Sequence, residues 1–188
     1  ERFIISSNNE EKKYIAHVKL MKSYFFLEMI DDMVKEASIV LDNDQTTGDR
    51  KSESHFIMGK GLMLQDHYDD ALVHLSFVYK NNPGVLGAEA QYYVAKIYNI
   101  KGEYNTSENE IKKLVKTKQN YSNWVARALI LESYNLIEKP NLFQAKATLK
   151  SVIENFKGNE DILEEANEAL LIVEELLIEK SKETDVEN

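Results

Sequence analysis

The side chains with most potential for chemistry are four histidines, His17, His55, His67 and His74. None belongs to a metal-binding or catalytic motif such as HExxH. Asp66, His67 and Asp70 are close enough in sequence to gather a metal ion at one turn, but they also suit a solvated turn. A zinc site needs three or four ligands at defined geometry, and the chain has no cysteine. We therefore expect packing or surface roles for the histidines, with no metal site and no cofactor.

Gly59-Lys60-Gly61 is the segment that most resembles a phosphate-binding loop. A P-loop needs a longer glycine-rich segment between a strand and a helix, and no strand is predicted before it. We interpret the two glycines as sites of close helix packing. No Ser-His-Asp arrangement with a nucleophile elbow and no distinctive pair of carboxylates is present. The sequence thus predicts no catalytic residues and a protein that is not an enzyme.

The composition is that of a folded, water-soluble helical protein. The 188 residues are 43% hydrophobic and 29% charged, and only two prolines and seven glycines interrupt them. No apolar run approaches the ~20 residues that cross a bilayer, so no membrane span is predicted. The chain starts at Glu1 without a methionine, and we expect a fragment or processed chain whose upstream targeting signal would not be visible.

The net charge of −9 is concentrated at one end of the chain. From Glu160 to Asn188 there are eleven acidic residues against Lys180 and Lys182, which gives −9 and leaves the remaining residues neutral in sum. A neutral body with an acidic end argues against nucleic-acid binding through a basic surface. The end itself suits a solubilising cap or, alternatively, a segment that docks in a lysine-bearing groove of another molecule.

A helical tetrad returns along the chain at nearly constant spacing. Its four occurrences begin at residues 30, 68, 104 and 142, in steps of 38, 36 and 38, and read Ile30-Asp31-Asp32-Met33, Tyr68-Asp69-Asp70-Ala71, Tyr104-Asn105-Thr106-Ser107 and Leu142-Phe143-Gln144-Ala145. A period in this range is typical of stacked helical hairpins. One hairpin cannot bury its apolar face alone, so neighbouring hairpins must stack and the ends must be capped.

Apolar recurrence at three and four residues, with start and stop signals, predicts nine helices. The ranges are 11–26, 28–41, 51–65, 68–81, 86–101, 104–117, 123–138, 142–156 and 160–182. The polar stretch 42–50 is predicted to be an irregular and mobile loop, and Ser122 to be an N-cap. The acidic tail, residues 183–188, is expected to fray.

The tetrads and their surroundings resemble the tetratricopeptide repeat, and the longer turns resemble those of envelope-associated members in bacteria. In the second unit, Gly59 matches the site where paired helices touch, Tyr68 the turn aromatic, Ala71 the small residue and Pro83 the terminal proline. The equivalent close-packing residues elsewhere are Met21, Ala95 and Ser133. The resemblance implies an all-α, right-handed α-α superhelix of four hairpins at about 11–41, 51–81, 86–117 and 123–156. A capping helix over 160–182 follows them, and residues 1–10 end a preceding repeat or linker.

The resemblance also implies a concave groove lined by the first helix of each hairpin. The groove residues it assigns are Val18, Lys22, Phe25, Phe56, Lys60, Met63, Tyr92, Lys96, Asn99, Arg127 and Tyr134. Lys22, Lys60 and Lys96 fall at one equivalent position, which makes a lysine ladder beside aromatic rings. Such a ladder suits an acidic peptide or a terminal carboxylate, whereas its alternative is plain solvation of the groove.

The predicted function is a non-catalytic scaffold that binds a protein or peptide segment in this groove. The alternative is a structural spacer or self-assembly module of a larger repeat protein, in which the outer faces matter. The sequence leaves the compartment open between the cytoplasm and the periplasmic side of a bacterial envelope. It also leaves open the partner's identity and the oligomeric state.

Overall fold

The computed structural model describes residues 9–186, with side chains described as far as residue 182, and all regular structure in that range is helical. The helices are α1 (Glu10–Phe26), α2 (Ile30–Leu41), α3 (Gly48–Leu64), α4 (Tyr68–Asn81), α5 (Val85–Ile100), α6 (Tyr104–Thr117), α7 (Ser122–Glu138), α8 (Leu142–Asn155) and α9 (Glu160–Val186). Each predicted helix is present there, with ends shifted by at most four residues. Residues 1–10 were predicted to end a preceding repeat or linker, and residues 1–8 of this segment lie outside the described range.

The polar loop before α3 is shorter and better anchored than predicted. Because α3 begins at Gly48, the prediction that residues 48–50 are irregular was wrong. Asp49 in the first turn favours this early start through the helix dipole. Within the remaining loop Thr46 is buried, where its hydroxyl donates to the Val40 carbonyl at 2.5 Å and lies 2.9 Å from the Tyr14 hydroxyl.

Two helix starts show how local hydrogen bonding sets a boundary. The side chain of Asn9 accepts from the Lys12 amide at 2.9 Å and caps α1. Ser122 was predicted to cap α7, but it is the first helical residue instead. The carbonyl of Tyr121 already accepts the Val125 amide at 3.1 Å, so the cap position belongs to Tyr121.

The chain forms two compact units, Glu1–Ala90 and Gln91–Asn188. The described part of unit 1 contains α1 to α4 and the start of α5, and its core includes Tyr14, Met21, Met33, Val40 and Ile57. In unit 2, α7, α8 and α9 enclose a core that includes Ile130, Leu149, Ile162, Ala166 and Val173. In both units, successive helices of a hairpin pack against each other, as the repeat requires.

Small residues allow close helix contact in both units. A Cβ atom built on Gly59 would lie 2.7 Å from Leu75 Cγ of α4, and one on Gly61 would lie 2.9 Å from Met33 Cε of α2. Both distances are below any real contact, so α3 packs through bare backbone on two sides. This confirms the interpretation of Gly59 and Gly61 as helix-packing residues. The equivalent or paired positions at Ala71, Ala95, Ser107, Ser133 and Ala145 are fully buried.

A polar pair joins the two helices of three successive hairpins. His17 Nδ1 lies 2.6 Å from Glu36 Oε2, and His55 Nδ1 lies 2.9 Å from His74 Nδ1. In the third hairpin Gln91 Nε2 donates to the Glu110 carbonyl at 3.4 Å. Each pair spans 19 residues, so the three are equivalent positions of the repeat.

The hairpin turns share an unusual backbone conformation. Glu28, Asp66 and Gly102 have φ angles of 54°, 61° and 73°. Each stands two residues before the helix that completes its hairpin. Only glycine adopts this region without steric cost, and one of these three turns has it.

The last helix continues the repeat register. Helices α1, α3, α5, α7 and α9 begin at residues 10, 48, 85, 122 and 160, so α9 occupies the position of a first helix in a fifth hairpin. It packs on α7 and α8. One of its acidic residues, Glu165, is half-buried and pairs with Arg127.

Candidate functional site

Aromatic and aliphatic side chains line a groove in unit 1, formed by α1, α3 and the first turns of α5. Phe25 is central, with its ring centroid 6.0 Å from Phe26 and 6.4 Å from Phe56 in edge-to-face contacts. Two adjoining depressions of about 210 and 490 Å³ make up this surface. We call it the unit-1 groove, and its lining residues include Lys22, Phe25, Phe26, Glu53, Phe56, Lys60, Leu64, Leu86 and Glu89.

The two predicted groove lysines of unit 1 each face a carboxylate. Lys22 Nζ lies 2.8 Å from Glu53 Oε2. Burial raises the pKa of Glu89, and the neighbouring Lys60 ammonium lowers it in part. The unit-1 groove is therefore close to charge balance rather than strongly basic.

Exposure divides the apolar residues of this groove into two sets. Val18, Phe56 and Met63 are buried and support the groove floor. Phe26, by contrast, is 81% exposed, and Leu64 at the neighbouring end of α3 is 53% exposed. Large apolar side chains are seldom left this open together, so these two form the part of the groove that is available for contact.

The predicted groove residues of unit 2 make internal contacts. Tyr92 is buried, with its ring 5.5 Å from Trp124 and 5.2 Å from Tyr93. Burial strongly raises the pKa of its hydroxyl. Burial also raises the pKa of Tyr134, helped by the nearby carboxylate of Glu165. The hydroxyl groups of both tyrosines are therefore uncharged at physiological pH.

Arg127, another of the predicted groove residues, pairs with two carboxylates of α9. Its guanidinium donates to Asp161 Oδ2 and to Glu165 Oε2, both at 2.6 Å. Two forked contacts of this kind fix α7 to α9. The charge of Arg127 is thus neutralised within unit 2.

Asn99 and Lys96 complete the predicted set. The Asn99 amide donates to Asn135 Oδ1 at 2.9 Å, and the Asn135 amide donates to the buried Ser107 hydroxyl at 2.9 Å. This chain of side-chain hydrogen bonds ties α5, α6 and α7 together. Lys96 is half-buried.

Of the carboxylates opposite the lysines, Glu53 was missed by sequence reasoning. Glu53 stands seven residues before Lys60, and Glu89 stands seven residues before Lys96. Residues seven apart share one face of a helix, so the acidic residues two turns before Lys60 and Lys96 were the available signal. One face of α3 and one face of α5 therefore each carry an acidic and a basic residue.

Solved structures show what this arrangement of helices is similar to. The chain is similar in fold to MamA. "Crystal structure of MamA" matches at 19% identity over 77% of this chain and 79% of that chain, with a TM-score of 0.64. "Crystal structure of MamA protein" matches at 19% identity over 77% and 74%, with a TM-score of 0.64. "MamA RS-1 ArsTM double mutant" matches at 14% over 87% and 96%, with a TM-score of 0.58.

MamA contains tetratricopeptide repeats, and the likeness confirms the prediction of an all-α, helical-repeat fold. At such low identities it concerns the fold alone. The sequence itself matches no protein-family model and none of the curated proteins.

Two searches of the described residues bear on other classes of site. Among residues 9–182, no three side chains of the metal-ligating types His, Cys, Asp and Glu gather in one place. No helix in the described part of the chain combines the length and apolar character needed to cross a membrane.

Proposed function

We propose that this protein is a non-catalytic scaffold that binds a segment of another protein, and that the unit-1 groove receives that segment. The fold supports this proposal because stacked hairpins present a preformed surface. Because this surface is already ordered in the free protein, most of the conformational entropy lost on binding is lost by the partner segment. No part of the proposed role requires a cofactor.

The exposure of Phe26 beside Leu64 is the observation that carries the proposal. Both side chains border the half-buried ring of Phe25, and Phe26 also borders the buried ring of Phe56. Aromatic and large aliphatic residues at the centre of a contact provide most of the binding energy in protein interfaces. A partner that covered them would remove exposed apolar area that the free chain leaves in water.

The partner segment that fits this groove best has apolar anchors, with acidic residues in a secondary role. An acidic residue that approached Lys22 would have to compete with Glu53 at 2.8 Å. Lys60 is next to Glu89, whose pKa is raised by burial. Exchange of carboxylate partners would therefore contribute orientation more than affinity.

A displayed peptide library tests the proposal without knowledge of the natural partner. Peptides are selected on the parent chain, and their dissociation constants are measured by fluorescence anisotropy on the parent and on Phe26→Ser/Leu64→Ser. We expect the selected peptides to share two or more large apolar residues. We expect the double variant to bind them at least about tenfold more weakly, since each lost apolar contact is worth about 1 kcal/mol or more.

The matched control is Val73→Ser/Phe143→Ser, which removes two similarly exposed apolar side chains, on α4 and α8. This control should bind the peptides as the parent does. Lys60→Glu should weaken only those selected peptides that carry acidic residues. Equal binding to the parent and to Phe26→Ser/Leu64→Ser, or a selection that yields no binding peptide, would exclude the unit-1 groove as the binding site.

A further inference from the structure

The outer face of α9 is open at positions that are covered in every other repeat. Leu171 occupies the register of the close-packing residues Met21, Gly59, Ala95 and Ser133, all of which are buried against the second helix of their hairpin. Leu171 is 61% exposed. Ile178 lies seven residues further along this face and is 53% exposed. The register thus marks a face of α9 on which a helix would normally pack.

Acidic side chains flank Leu171 on both sides, and Ile178 lies between Glu175 and Lys182. Glu164, Glu168 and Glu175 are exposed on the same face, one or two turns apart. The acids on the flanks of α9 are different, because Glu165 pairs with Arg127 and Glu174 pairs with Lys146. Within residues 9–182, no lysine or arginine forms an ion pair with the acids of the outer face.

The first described helix has an open face on which two lysines flank an apolar residue, with the exposed Glu11 at its edge. Ala16 occupies the register of Ser54, Ala128 and Ala166. Those three residues are fully buried, whereas Ala16 itself is only half-buried. Ile15 beside it is 42% exposed, and the two residues form a shallow depression with Lys12 and Lys19. Neither lysine has an ion-pair partner among the described residues.

The two faces match in spacing as well as in charge. Lys12, Ile15 and Lys19 are separated by three and four residues, and Glu168, Leu171 and Glu175 are separated by the same intervals. We propose that α9 of one molecule docks on α1 of a second copy, with Leu171 against Ile15 and the acids of α9 beside the lysines of α1.

A solubilising cap alone does not account for these two faces. A cap needs a polar surface of either sign, but it has no need for Leu171 between acids or for Ile15 between lysines. Docking of two copies through α9 alone would place carboxylates opposite carboxylates, which is unfavourable. The charges therefore select the heterologous contact of α9 with α1, which joins molecules head to tail in rings or chains.

A contact between two helices is smaller than a standard protein interface, so the association should be weak and dependent on salt. Sedimentation velocity on the 188-residue chain, over about 10–500 µM, covers the range expected for such an interface. We expect the mean mass to rise with concentration at low salt and to fall back toward the monomer in about 0.5 M salt. A monomer throughout the low-salt series would overturn the proposal.

A charge-swap experiment tests which surfaces meet. Lys12→Glu/Lys19→Glu makes both faces acidic, and Glu168→Lys/Glu175→Lys makes both faces basic, so each variant alone should be monomeric. An equimolar mixture restores opposite charges at every junction and should associate at least as well as the parent. Association by either variant alone, or none in a mixture whose components remain folded by circular dichroism, would overturn the pairing.

The matched control is Lys35→Glu/Lys116→Glu, which makes the same charge change at exposed lysines of α2 and α6. It should associate as the parent does. The test is independent of the unit-1 groove, because none of these substitutions touches Phe26 or Leu64. Peptide binding at the groove and association through α1 and α9 can therefore fail separately.

Discussion

His55 and His74 meet across the second hairpin with their Nδ1 atoms 2.9 Å apart. Burial, then the neighbouring His74 and Lys51, lower the pKa of His55 to about 4, and burial also lowers the pKa of His74. An unfolded histidine titrates near 6.5. Between these values the unfolded chain binds more protons than the folded one, so stability decreases as the pH falls from about 6.5 toward 4.

The first hairpin suggests how this acid sensitivity can be removed. His74→Glu would place a carboxylate opposite His55, as Glu36 stands opposite His17 at 2.6 Å. A nearby carboxylate favours the imidazolium, so we expect a higher pKa for His55 and a smaller loss of stability on acidification. Urea unfolding at about pH 7.5 and pH 5, with an NMR titration of the imidazole, measures both effects.

The control for this experiment is His67→Glu, which adds the same charge at an exposed turn residue. It should leave the pH dependence close to that of the parent. If His74→Glu loses as much stability between the two pH values as the parent does, the histidine pair is not the source of the acid sensitivity.

Ala71→Leu should overpack the crossing of α3 and α4. Ala71 is fully buried, and inserting a larger side chain into a well-packed site costs about 1–3 kcal/mol. We expect a lower midpoint of urea unfolding. Ala147→Leu, at an exposed position of α8, makes the same change in solvent and should have little effect; an equal loss in both variants would count against the close crossing.

Arg127→Gln should weaken the attachment of α9. The substitution removes contacts at 2.6 Å to Asp161 and Glu165. These side chains are partly exposed, so we expect a cost of about 1 kcal/mol at low salt and less at high salt. Arg127→Lys keeps the charge but loses the fork and should fall between the two. A difference from the parent that is unchanged by salt would indicate a packing effect instead.

Glu28→Gly should stabilise the first hairpin. Glu28 is exposed and has φ of 54°, a conformation that costs a residue with a Cβ atom about 1 kcal/mol. Glycine adopts it freely, so the free energy of unfolding should rise by up to this amount. Glu28→Ala retains the Cβ atom and should show no gain, and a similar increase in both variants would assign the effect to the loss of the carboxylate.

The helices could be predicted because their determinants are local and repeated. The tetrads beginning at Ile30, Tyr68, Tyr104 and Leu142 each mark the start of a helix in the structure. The packing role of Gly59 could be predicted because a glycine within a helix is unfavourable unless it allows a close contact. The early start of α3 was missed because the polar composition of residues 42–50 outweighed the one favourable charge at Asp49.

The site was harder to predict because ion pairs between helices leave no local trace. The spacing of Glu53 and Lys60 places both on one face of α3, but Lys22 lies 31 positions before Glu53, and no spacing indicates that these two meet. Arg127 was assigned to a groove by its register, but its partners lie on α9. The repeat pattern thus places side chains on a face without telling which charges they meet there.

The two glycines of α3 have a consequence for how much sequence change this helix can accept. Any side chain at Gly59 must displace Leu75, and any side chain at Gly61 must displace Val34 as well as Met33. Each glycine also costs the helix about 1 kcal/mol relative to alanine. Glycine is therefore favourable at these two positions only because it allows the close contact between helices. In a library of all single substitutions, α3 should therefore be the stretch of unit 1 with the fewest functional replacements.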